Sequence, residues 1–298
     1  MTRLAFISII ILSLCSCAHK PALDDLKKQI AEELGKTKGE FAVAFNDLST
    51  GEVLLMNEHQ LFHAASTMKA PVMAEVYKQA AEGKLSLNDS ILIKNEFKSI
   101  ADGSTFILTA KEDSDTLIYS HIGEKRTLSS LVYDMIIWSS NLATNMVIEK
   151  VGAKNVTQTM RSIGAKDMQV LRGVEDGKAF KAGINNQVTA YDLMLLFEKI
   201  GKEAMINAEA SKAMISILLD QKFNDIIPAQ LPADVKVAHK TGWITGLHHD
   251  AAIVFLPDGR KYVLVLLSSK LEDETAGVKS MATVSKMIYE YVKSLKTV

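Results

Sequence analysis

Apolar residues along this chain change period twice, and the changes divide it into three stretches. Leu23, Leu26, Ile30 and Leu34 recur at helical spacing, and Gly35 and Gly39 end that run. From Phe41 to Phe45 apolar residues alternate with alanines, as along a strand. Asp47-Leu48-Ser49-Thr50-Gly51 reads as a turn and Glu52 to Met56 as a second strand, so this stretch predicts a hairpin. The middle is helical. Met68, Val72, Met73, Val76 and Ala80 share a face over Thr67 to Glu82, and Gly83 stops it. Further helices are predicted over Leu128 to Ile137, Ala143 to Val151, Ala190 to Ile200 and Ala208 to Leu219. Period two returns over Lys236 to His239, Asp250 to Leu256 and Tyr262 to Leu267, with Pro257-Asp258-Gly259 as the last turn. Ala276 to Leu295 closes the chain as a long amphipathic helix.

Strands, helices, then strands predict an α/β protein of the α+β kind. Both chain ends form one five-stranded antiparallel sheet with helices packed on it, and the central helices form a second lobe. The expected division is an α/β lobe over residues 22–62 and 206–298 and a helical lobe over 63–205, with the active site between them. The segment Lys94 to Lys125 is poorly periodic and mixed in charge. It reads as an extended loop on the rim of that cleft, with no role expected for any single residue in it.

Composition narrows the picture. The chain has 298 residues, 48% of them hydrophobic, enough for one large core. A formal net charge of -1 leaves no electrostatic footprint for nucleic acid. The five prolines and the absence of a Ser/Gly tract argue against a long linker. Arg3 followed by an apolar run from Leu4 to Leu14 is too short for a membrane span of about 20 residues. It reads as a targeting segment, and Leu14-Cys15-Ser16-Cys17 resembles a bacterial lipobox. Residues 1–17 are thus expected to be a lipoprotein signal peptide, Cys17 the lipidated residue, and 18–298 one catalytic domain that is exported, periplasmic and lipid-anchored. Both cysteines of the chain fall in this segment, so no disulfide is expected in the mature fold.

The candidate chemistry starts at Ser66. Alone, a serine opening a helix reads as a cap. Lys69 stands three residues on, one turn along the same face, where its amine can approach the Ser66 hydroxyl. A hydroxyl needs a base before it becomes a nucleophile. A lysine becomes one when burial or a second cation lowers its proton affinity. Lys240, far along the chain, is the candidate second cation. The alternative for Lys69 is a surface lysine.

Ser66-Thr67-Met68-Lys69, then Ser139-Ser140-Asn141, then Lys240-Thr241-Gly242 stand in the order of the motifs of serine β-lactamases and penicillin-binding proteins. From about Phe41 to the C-terminus the chain resembles a class A-like β-lactamase. The resemblance implies an enzyme that opens the β-lactam amide through an acyl-enzyme on Ser66. It implies Ser139 as proton relay to the leaving nitrogen and Asn141 as a bond to the substrate amide. Lys240 and Thr241, at a strand end, would bind a substrate carboxylate, and Gly242 would let the substrate run close to the strand. The N–H groups of Trp243 and Ser66 would form the oxyanion hole. The middle motif residue, often aspartate in the family, is Ser140. Asn145 is expected to tie loops together.

The family's deacylating glutamate corresponds best to Glu175 in Arg172-Gly173-Val174-Glu175-Asp176, one position later than the common spacing, and Ala179 stands where an asparagine is usual. The alternative is that Glu175 and Asp176 form a charged turn, with Asp176 the next candidate base. His248-His249-Asp250 gives no metal site, since adjacent strand residues point to opposite faces, though His249 is a candidate partner for a substrate carboxylate. No metal or cofactor is expected. The expected partner is a small β-lactam and the expected state a monomer. Two further readings share the motifs: a D,D-peptidase or esterase-like hydrolase, and a lipid-tethered penicillin-binding or sensor module that acylates once.

Overall fold

The computed structural model describes residues 23–295, so the signal segment 1–17 and the expected lipidation at Cys17 lie outside the described residues. The two ends of the chain build one five-stranded antiparallel sheet, as the alternation predicts. Its strands are β1 (Glu40–Asp47), β2 (Val53–Met56), β3 (Lys236–Ile244), β4 (Leu247–Phe255) and β5 (Lys261–Ser269), in the spatial order β2-β1-β5-β4-β3. The motif-bearing strand β3 is therefore an edge strand.

The alanine alternation in β1 has a structural cause. Phe41, Val43 and Phe45 enter one core, with helices α1 (Leu23–Leu34) and α9 (Glu274–Ser294). Ala42 and Ala44 enter the other, against α7 (Ala190–Gly201). Small residues on that face let a helix lie close to the sheet, and Gly201 likewise leaves room for Leu48 and Ile253. Beyond α7 and α8 (Ala208–Leu219) stand α2 (Lys69–Ala81), α3 (Leu128–Ile137), α4 (Asn141–Val151) and α5 (Ala153–Ser162). Nearly every side of α2 is buried, including Lys69 and Glu75, so it is the central post of the helical part.

Four expectations need correction. β3 and β4 run longer than predicted, because Lys236 to Ile244 pairs residue for residue with Phe255 to Leu247 around a two-residue turn. Gly246 takes φ +75 in that turn, as tight hairpins require. Lys240-Thr241-Gly242 therefore sits inside a strand rather than at its end. The helix after Ser66 starts as a 3-10 turn, Ala65–Met68, before α2. Helix α5 was not expected at all: it follows α4 across Gly152, whose φ of +81 turns the chain.

The segment 94–125 is not simply an extended loop. Ser90–Leu92 pairs with Lys125–Thr127, and Phe97–Lys98 with Thr105–Phe106. Ile93, Phe97, Leu108 and Ile118 enter the main core.

Candidate active site

Ser66 sits in the 3-10 turn beside the inner face of β3. The turn is held in strain: Ala65 takes φ +44, a left-handed conformation that costs a non-glycine residue about 1 kcal/mol or more. Its N–H donates to His63 Nδ1 at 3.1 Å. Thr67 Oγ1 donates to Ala64 O at 2.6 Å, and Ala64 N to Asn186 O at 2.9 Å. A Cβ on Gly242 would stand 2.9 Å from both Ser66 N and Thr67 N. The glycine thus serves the approach of the strand to the nucleophile's own backbone, a use the sequence reading did not give it.

Behind Ser66, two lysines converge on one hydroxyl. Ser139 Oγ lies 3.2 Å from Lys69 Nζ and 3.1 Å from Lys240 Nζ, and both lysines are fully buried. Lys69 Nζ also donates to Ser139 O at 2.6 Å and Asn141 Oδ1 at 2.8 Å, and Lys240 Nζ to Thr241 O at 2.8 Å. Burial drives the proton affinity of Lys69 down to about 7, against the opposing pull of Asp113 and Glu175. Burial and the neighbouring Lys69 push Lys240 well below the usual lysine range. An amine near 7 is half free base at neutral pH. Its two N–H bonds then go to Ser139 O and Asn141 Oδ1, which only accept, and its lone pair is left for a proton. Among the described residues no hydrogen bond joins Lys69 to Ser66 Oγ. Ser139 takes φ +57, which turns its carbonyl and hydroxyl to the same amine.

Glu175 reaches this group from the facing loop. Its Oε1 accepts from Asn141 Nδ2 at 3.3 Å. Although the residue is open to the cleft, surrounding protein and then the nearby Glu112 raise its carboxyl above the usual carboxylate range, against the opposing pull of Lys69 and Arg172. The loop is closed where Gln169 and Gln187 exchange backbone bonds of 2.8 and 2.9 Å. It is pinned by Asn145, whose Nδ2 donates to Val174 O at 3.0 Å and whose Oδ1 accepts from Val174 N at 2.7 Å. Asn145 thus ties the loops together as expected. Arg172 braces the loop from within, donating to Ile184 O, Gly173 O and Asn185 Oδ1. Asp176 faces away: it accepts from Ser99 Oγ, Ile100 N and Ala179 N, capping the short helix α6 (Gly177–Lys181). It is therefore not the alternative base.

The cleft has a volume of about 470 Å³ and is lined by Ser66, Ser139, Asn141, Glu175, Phe180 and Trp243 among others. Trp243 is 59% exposed at its mouth. Thr241 and Gly242 line a neighbouring groove on the α9 side of β3, along with His248 and Glu274. Lys240 is open to neither space, and its Nζ bonds Ser139 Oγ, which lines the cleft. His249 also departs from expectation. It is fully buried, with Nε2 2.9 Å from His63 O, and burial holds its proton affinity at about 4. A neutral, enclosed imidazole does not bind a carboxylate. His248 points the other way, to Glu274 at 2.8 Å.

Asp113, Tyr119 and His63 belong to this neighbourhood and were missed. Asp113 and Tyr119 lie in the segment without periodicity, and nothing local marks them. His63 precedes the first motif by three residues and shows its use only through the Ala65 bond.

The chain is similar to known proteins along most of its length. The model of the β-lactamase enzyme family matches residues 25–292. A β-lactamase of Bacteroides uniformis is 26% identical over 308 residues, covering 97% of this chain and 99% of the relative. Among solved structures, a β-lactamase from Sphaerobacter thermophilus superposes with a TM-score of 0.77 at 25% identity, covering 91% of this chain and 99% of the other. PBP-A superposes with the same TM-score and identity, covering 92% and 97%. With the sheet, the three motifs and the match to 25–292 in agreement, the chain belongs to the β-lactamase enzyme family.

Proposed function

We propose that this protein is a serine hydrolase that opens β-lactams by way of an acyl-enzyme on Ser66. The observation that carries the reading is the convergence of two fully buried lysines on Ser139 Oγ, next to the strained turn that presents Ser66. Ser66 Oγ attacks the lactam carbonyl carbon and loses its proton to the free amine of Lys69. The N–H groups of Ser66 and Trp243 stabilise the oxyanion. The carbonyl–nitrogen bond then breaks. The proton passes from Lys69 through Ser139 Oγ to the departing nitrogen, whose ring carboxylate is drawn by the charge of Lys240 and by Thr241. Asn141 holds the side-chain amide of the substrate. A water that gives its proton to Glu175 attacks the ester carbonyl, and Ser66 leaves with a proton returned by the same group.

A chromogenic cephalosporin, followed by absorbance and by intact-protein mass spectrometry, tests this. Repeated turnover is expected in the wild type, and neither turnover nor adduct in Ser66→Ala. A stable adduct without turnover would favour the D,D-peptidase or single-acylation reading, and an adduct of normal yield in Ser66→Ala would remove Ser66 from the chemistry.

A further inference from the structure

The Ser139-Ser140-Asn141 turn lacks the aspartate that is common at its middle position. Ser140 Oγ accepts a weak bond from Ala143 N, at 3.3 Å, and hydrogen-bonds the buried Asp115 carboxylate, which does not reach the Asn141 and Leu142 N–H groups. A carboxylate nevertheless stands at this turn, and it comes from elsewhere in the chain. Asp113 follows the 3-10 turn Ala110–Glu112 and is buried. Both its oxygens lie 3.0 Å from Asn141 N, and Oδ2 also accepts from Leu142 N at 2.9 Å. Tyr119 OH donates to Oδ2 at 3.0 Å and Asp115 N to Oδ1 at 3.0 Å.

These donors fill a carboxylate's acceptor sites without a cation among them. Two of them are the free N–H groups that open α4, where a negative charge is favoured. Asn141 links this carboxylate to the site: its N–H bonds Asp113 while its Oδ1 bonds Lys69 Nζ.

We propose that Asp113 is a positioning residue that supplies, from a segment distant in sequence, the anion the Ser139-Ser140-Asn141 turn lacks, and that its charge sets how basic Lys69 is. The titratable groups facing Lys69 are Asp113, Glu175 on its loop and Lys240 on β3, whose own proton affinity is driven down, and Asp113 is the stronger of the two carboxylates that keep the Lys69 proton on. Without that anion, burial would make Lys69 too weak a base for efficient proton removal near neutral pH.

The inference rests on Ser66 being activated by Lys69, and the test separates it from the β-lactam reading. The rate of Ser66 acylation against pH is measured in wild type and Asp113→Asn, with a penicillin and, separately, with a fluorophosphonate. The amide keeps an acceptor for the α4 N–H groups and removes the charge. The acid limb should move to lower pH by about one unit, as expected for loss of one opposite charge at close range, and the plateau rate should fall. A merely structural role would lower the rate at every pH and leave the limb in place. An unmoved limb, or one moved to higher pH, overturns the proposal. If the amide variant does not fold, as judged by circular dichroism, Asp113→Ser gives the same comparison with a smaller neutral acceptor. A wild type that reacts with the fluorophosphonate but not the penicillin would refute the β-lactam reading alone.

Discussion

Each side chain at the site is assigned its work by one or two partners. Glu175 combines a carboxyl raised above its usual range with a place beside Asn141. A base of that kind loses its function as pH falls through its raised value, so deacylation should decline at a higher pH than an ordinary carboxylate would allow. Glu175→Gln keeps the shape and removes the proton acceptor. Burst kinetics should show a full burst and a steady state slower by about two to four orders of magnitude. A steady state within a few fold of wild type would reduce Glu175 to a turn residue. Lys240 acts on the proton path through its bond to Ser139 Oγ, and it is Lys69 that lowers its proton affinity. In Lys240→Ala that bond is lost, so the pH–rate profile of acylation should fall across its whole range. An unchanged profile would place Lys240 outside the proton path.

Secondary-structure elements matter here for how closely they approach. Strand β3 brings no side chain at Gly242 to the turn carrying Ser66, and a methyl there would meet two backbone nitrogens at 2.9 Å. Backbone cannot swing aside as a flexible side chain does. Gly242→Ala should therefore destabilise the fold by about 1–3 kcal/mol, as overpacking does. It should also slow acylation more than it weakens substrate binding, because the oxyanion donors are displaced. Thermal melts and single-turnover rates measure the two effects, and an intact acylation rate would show that the turn has slack. The loop from Gln169 to Gln187 depends on a comparable fit. Gly173 has no side chain because the Asn145 amide fills that space, and the same amide holds Val174, next to Glu175.

For the molecule as a whole, the site has a stability cost that depends on pH. Lys69 is protonated in the unfolded chain up to about 10.4, and in the folded protein only up to about 7. Between these values the unfolded state binds more protons, so unfolding becomes less favourable as pH rises. The penalty for burying this amine is fully present below about 7 and is released as pH climbs toward the usual lysine value. Denaturant unfolding of wild type should show stability rising from neutral pH toward pH 9, with a smaller rise in Lys69→Met. Equal slopes in the two proteins would mean that Lys69 is not buried as a neutral amine. The penalty is a local conflict with the apolar residues that fill most of α2, of the kind functional sites impose on a fold.

The sequence by itself determined the elements. Periods of 3.6 and 2 place helices over Leu128–Ile137 and Ala208–Leu219 where the structure has them. The alanine alternation of β1 foreshadows a sheet packed on both faces, and the five strands form the antiparallel sheet expected of them. Three short motifs name the residues that meet at the cleft, because each motif is local and its spacing survives in one dimension. The tertiary structure alone decided which of those residues touch. Lys69 bonds Ser139 and Asn141 rather than Ser66 Oγ. Lys240 lies buried inside a strand, and His249 is enclosed and neutral. The anion serving the motif turn is Asp113, from a segment without periodicity. Proton affinities and hydrogen bonds are set by burial and by partners 101 and 186 residues away, and no local pattern encodes those distances.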